Sequence, residues 1–236
     1  MTTLDHATAT DGAPQIWLRL VVLAFAALLG LQAVWLLLAE LIRPGIVRLP
    51  TDATIAATAA KEHSAAAMAA SLGVVRGDLW AESAYTEANL LWNDKNASSS
   101  VETAQNLARA FSNLGRALGD APHQSGAWLL LAGLAQRYPA ANVDAVEPLK
   151  MSYYTGASDR QLMPLRFRIT MQADPSRDAE IRQFAGRELR LLLAQNQKSA
   201  IAGAYNASSP AGKRFIEQSV GDIDRSALDW LRVGAH

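Results

Sequence analysis

The stretch AFSNLGRALGDAPHQSGAWLLLAGLA, residues 110–135, decides how the rest of the chain is read. Ala110, Leu114 and Ala117 recur at three- and four-residue spacing, the period of one buried helix face. The pattern stops at Gly119 and resumes beyond Pro122, where Trp128, Leu131, Ala132 and Ala135 repeat it. Glycine suits the residue past a helix end, and proline cannot continue a helix. So short a connection turns the chain back on itself. The segment therefore predicts an antiparallel helical hairpin, with small residues where the two helices approach and Trp128 filling a core position.

The same period recurs on both sides. Residues 51–72 form an alanine-rich stretch that ends before Gly73, and Asp78 is placed to cap a helix carrying Trp80, Ala84, Ala88 and Leu91. After the polar run NDKNASSS, Ser99 and Glu102 make a capping box for a helix that ends near Leu118. Further helices are expected over about 124–138, 143–155 and 160–173, from Asp174-Pro175 to about 197, and over 198–205, 210–220 and 223–233. No segment alternates at period two, and 45 alanines outnumber Val, Ile, Tyr and Phe together. The expectation is an all-α protein.

Near the N-terminus, Leu20–Ala39 reads LVVLAFAALLGLQAVWLLLA, with no charge. About 20 such residues cross a ~30 Å hydrocarbon core as a helix. Trp17 and Arg19 flank one end; Glu40, Arg43, Pro44 and Gly45 close the other. A cleaved signal peptide would have a basic leader and a shorter apolar run. Here the first 18 residues hold Asp5 and Asp11 but no Lys or Arg. The expected organisation is a tail over 1–16, a single transmembrane helix in the lipid bilayer over 17–43, an alanine-rich linker helix over 44–76, and a helical-repeat domain over 77–236. Arg43, Arg48 and, further out, Lys61 outnumber the amino terminus and Arg19 by a thin margin, so the positive-inside count leans the large domain toward the cytoplasm.

Composition removes several functions. Lys and Arg total 22 against 22 Asp and Glu, so no basic field exists to bind nucleic acid. Cysteine is absent, which excludes disulfide scaffolds, thiolate zinc sites, iron–sulfur clusters and cysteine nucleophiles. His63 beside Glu62 and His123 near Asp120 lack a second partner at helical spacing and read as surface residues. No phosphate loop, nucleophile elbow or paired-carboxylate motif occurs, so neither an enzyme nor a cofactor or metal is expected. The candidate partner-binding residues are Tyr153, Tyr154, Arg160, Arg166 and Arg168, within SYYTGASDRQLMPLRFRI. Arginine and tyrosine together contact acidic peptides and carboxylated sugars. Alternatively, the tyrosines pack the helix junction and the arginines pair with Asp159, Asp174 and Asp178.

The hairpin at residues 110–135 resembles the tetratricopeptide pattern, across the second helix of one repeat and the first of the next; a looser likeness covers about 79–173. That resemblance implies stacked hairpins forming a solenoid whose inner face docks a protein. RGDLWAESAYTEANLLW, APHQSGAWLLLAGLAQRY and LKMSYYTGASDRQLMPLRFRI together resemble small membrane-anchored proteins of alphaproteobacteria that accompany surface-polysaccharide assembly. This implies a single-pass inner-membrane protein with its domain in the periplasm, against the charge count. The function expected is a non-enzymatic adaptor for a protein partner in the membrane or envelope. A carbohydrate- or peptide-binding module is the alternative.

Overall fold

The computed structural model describes residues 12–45, 49, 53–93, 101–139, 143–223 and 230–231, and all regular structure among them is helical. The helices are α1 (Gly12–Ile42), α2 (Ala53–Leu72), α3 (Gly77–Asn93), α4 (Val101–Asp120), α5 (Ser125–Arg137), α6 (Val146–Thr155), α7 (Met163–Gln172), α8 (Ala179–Ala194), α9 (Lys198–Ala207) and α10 (Pro210–Ile223). Ser99 of the expected capping box and nearly all of the expected helix over 223–233 lie outside the described residues.

The first core lies between α2, α3 and α4. Ala69 and Ala70 of α2 meet Leu79, Ala84, Ala88 and Leu91 of α3, which meet Ala110, Leu114 and Ala117 of α4. Alanine lets helix axes come close, so α2 forms one wall of the core. At the start of α3 the backbones nearly touch, since a Cβ on Gly77 would lie 2.7 Å from the Ala117 carbonyl oxygen. Asp78 sits inside that first turn and receives the Arg76 guanidinium at 2.5 Å, so it does not precede the helix as a cap would. A buried carboxylate also pins the three helices. Glu87 of α3 accepts from Arg109 of α4 at 2.9 Å and lies 3.6 Å from His63 of α2, which places His63 in an interhelical contact.

A second core joins Leu129 and Ala132 of α5, Leu149 and Tyr153 of α6, and Leu165 and Ile169 of α7. Trp128 is half-buried at the edge of the first core, not inside it; its indole N–H donates to the Pro122 carbonyl at 2.8 Å and ties down the turn before α5. The third core takes Phe167 and Met171 of α7, Leu189 and Leu192 of α8, Ile201 of α9, and Ile216 and Val220 of α10. Packing of successive helices holds in the pairs α2–α3, α3–α4 and α5–α6, whereas α7 packs chiefly on α9. The single helix expected from Asp174 to about 197 is divided. Asp174 adopts a left-handed backbone with φ 61°, a 3₁₀ turn follows over Pro175–Arg177, and Asp178 caps α8 by accepting from the Glu180 and Ile181 amides at 2.9 and 3.0 Å.

α1 stands apart from these cores. Residues Gln15–Ile42 are long and apolar enough to cross a membrane, and the side chains from Trp17 to Leu38 are exposed on every face. Only its end joins the domain. Ala39 is fully buried in the first core, and Ile42 packs against it. Arg43 donates to Glu82 at 2.9 Å and to Glu40 at 2.9 Å, while Arg76 bridges Glu40 at 2.7 Å and Asp78. Lower on α1, the Trp35 indole N–H donates to the Leu72 carbonyl at 2.8 Å.

Candidate functional site

The site is organised by α7, whose sequence MPLRFRITMQ carries two arginines two residues apart. At 100° per residue they point to opposite sides of the helix. Arg166 turns inward and is 1% exposed. Its Nε and Nη2 both reach Glu188 Oε1, at 3.0 and 2.8 Å, and its Nη1 donates to the Ser152 and Gly156 carbonyls at 3.0 and 2.9 Å. The guanidinium lies 4.5 Å from the centre of the Tyr153 ring. The Tyr153 hydroxyl donates to Glu188 Oε2 at 2.8 Å. Burial and the adjacent Glu188 carboxylate raise that hydroxyl well above its ordinary range. Burial also pushes the Glu188 carboxyl up, against the opposing pull of Arg166. Tyr153 and Arg166 are thus the centre of an internal network joining α6, α7 and α8, and neither reaches a partner at the surface.

The other candidates are scattered. Tyr154 is 55% exposed, bonds Glu180 through its hydroxyl and sets its ring edge-on to Phe184. Arg160 is exposed in the turn ahead of α7. The five expected residues therefore do not share one face.

Arg168 has a different setting. It is half-buried and makes no hydrogen bond or ion pair among the described residues. It lines a cleft of about 380 Å³ whose walls are Gly133, Gln136 and Arg137 of α5, Ile169 and Gln172 of α7, and Ala207 of α9. On its other side lies a second depression of about 240 Å³, lined by Pro164, Leu165, Ser199, Ala200, Gly203 and Ala204. Burial lowers the affinity of Arg168 for its proton, yet a guanidinium remains charged at neutral pH. Partial desolvation without a counter-ion costs free energy that an incoming anion would recover. Also in the cleft lining is Gln136, whose buried Oε1 has no hydrogen-bond partner among the described residues. The cleft therefore combines the Arg168 and Arg137 side chains with the Gln136 amide and apolar walls from Ile169 and Ala207. That combination fits a carboxylate.

Residue type alone singled out Arg168. Gln136, Gln172 and Gly133 carried no signal, because α5 and α7 meet only through the tertiary fold. Among the described residues, no group of three or more His, Asp or Glu converges to hold a metal ion. No protein family, curated protein or solved structure matches this chain.

Proposed function

We propose that this protein is a membrane-anchored, non-enzymatic adaptor: α1 crosses a bilayer once, and the cleft around Arg168 receives an acidic side chain of a partner protein. The observation that carries the docking role is the half-buried guanidinium of Arg168, which has no ion-pair partner among the described residues and lies between two depressions. A pocket with apolar walls and two arginine side chains, Arg168 and Arg137, suits a peptide segment that places an aliphatic side chain beside a carboxylate. The uncovered apolar surface of α1 supports the anchor. Location in a bacterial inner membrane, a periplasmic domain and service in polysaccharide assembly rest on the resemblance of residues 76–92, 121–138 and 149–169. A periplasm-specific reporter fused after His236 tests the orientation.

Affinity purification of the full chain in mild detergent tests the docking role. Arg168→Glu should lose a stoichiometric protein partner while keeping its helical content, and Arg160→Glu should keep the partner. Unchanged recovery with Arg168→Glu would move the interface away from the cleft. Displacement of all bound material by a uronic-acid oligomer would favour the carbohydrate-binding alternative.

A further inference from the structure

One end of the domain exposes apolar side chains. In the turn between α2 and α3, Val74 and Val75 are 63% and 79% exposed, and Met68 and Leu41 beside this turn are exposed as well. Two contacts fix the height of the turn against α1. The bond from Trp35 to the Leu72 carbonyl sets Leu72 level with Trp35, and the Arg76–Glu40 bridge sets Arg76 level with Glu40. Trp35 and Glu40 are five residues apart, about 7.5 Å along a helix rising ~1.5 Å per residue. The turn therefore begins on the apolar side of the charged ring formed by Glu40, Arg43, Arg76, Asp78 and Glu82. Part of its backbone is satisfied internally, while the Val74 and Val75 amides have no acceptor among the described residues and face the headgroup layer. Three consecutive carbonyls are occupied: Leu72 by Trp35, Gly73 by the Arg76 amide at 2.6 Å, and Val74 by the Trp80 indole at 3.3 Å. Irregular backbone at membrane depth requires such internal partners.

We infer that the α2–α3 turn, through Val74 and Val75, dips into the headgroup–acyl boundary of the leaflet from which α1 emerges, so that the domain meets lipid at two points and is held in one orientation. This rests on the reading of α1 as a membrane span. With α1 inserted, the charged ring lies among the headgroups and Trp35 in the interfacial belt where tryptophan concentrates. The turn at Trp35 height must then share that layer. Phospholipid is the occupant because the same apolar surface runs on from the exposed flank of α1.

The natural absence of cysteine permits a direct test. Single variants Val75→Cys, Leu28→Cys and Gly115→Cys of the full chain are labelled with the environment-sensitive fluorophore NBD. They are reconstituted in phosphatidylcholine–phosphatidylglycerol vesicles, and quenched by shallow or deep doxyl lipids and by aqueous iodide. Position 75 should be blue-shifted, quenched by the shallow doxyl lipid and shielded from iodide; position 28 should respond to the deep quencher, and position 115 to iodide alone. Iodide quenching at 75 with lipid quenching at 28 would overturn the inference and leave the anchor standing. Shielding of 75 from both quenchers would mean a protein covers the turn, which also overturns it. Absence of lipid quenching at 28 would remove the anchor itself, and the inference with it.

Discussion

Arg166 and Arg168 sit two residues apart in one helix and do opposite things. Arg166 is held by four hydrogen bonds under the Tyr153 ring, so its charge belongs to the core. Removing one partner of such a pair strands the other charge in an apolar setting, at about 3–5 kcal/mol. Arg166→Met should lower stability by that amount in chemical denaturation, and Arg166→Met with Glu188→Leu should recover much of it. Equal losses in single and double variants would show that the packing of Arg166, not its charge, is what matters. The sequence displayed both arginines as exposed-type residues, since isolated charges are seldom buried. Nothing local reveals that Glu188, 22 positions away, turns toward α7. Trp128 failed similarly: its spacing marked an apolar face, but its ring lies at the rim of the first core.

Element boundaries follow local chemistry that is partly legible. α2 was readable as a low-bulk helix that lies flat on a neighbour or forms a stalk; an alanine stripe hardly differs from its own solvent face, so which neighbour it meets was hidden. The break ahead of α8 depends on which of two aspartates caps. Asp178 wins because Lys150 reaches it at 2.7 Å from α6 while it accepts two amides of α8. The Lys150 ammonium and those N–H groups hold its carboxyl below the ordinary range. A depressed acid stabilises the fold above its unfolded value, ~3.9 for aspartate, and loses that contribution as pH falls through the lower folded value. Asp178→Asn should therefore melt below the native chain at neutral pH, with the difference closing below about pH 4. A constant difference across that range would contradict the ion pair. Helix contact is equally strict at α10, where a Cβ on Gly212 would collide with the Met171 carbonyl. Gly212→Ala should cost roughly 1–3 kcal/mol through forced backbone shifts. Gly115→Ala, with nothing within 4 Å, should be neutral or stabilising by up to ~1 kcal/mol. Similar melting temperatures for the two variants would mean that α10 is not seated on α7.

At the scale of the molecule, the all-α class and the long apolar helix were legible because both rest on periodicity within single segments. The joint between them was not. Ala39 and the ring Glu40–Arg43–Arg76–Asp78–Glu82 tie the end of α1 to α3 through partners about 40 residues apart. Within the expected alanine-rich linker helix over 44–76, α2 packs into the first core beside the end of α1. The central claim is that α1 spans the bilayer with this joint at one surface. Its most direct test is single-cysteine labelling in sealed membrane vesicles with a membrane-impermeant maleimide. Gln15→Cys and Gly45→Cys should react from opposite sides, and Gly30→Cys should stay unlabelled until detergent is added. Labelling of Gly30→Cys in intact vesicles, or reaction of both end positions from the same side, would contradict the account.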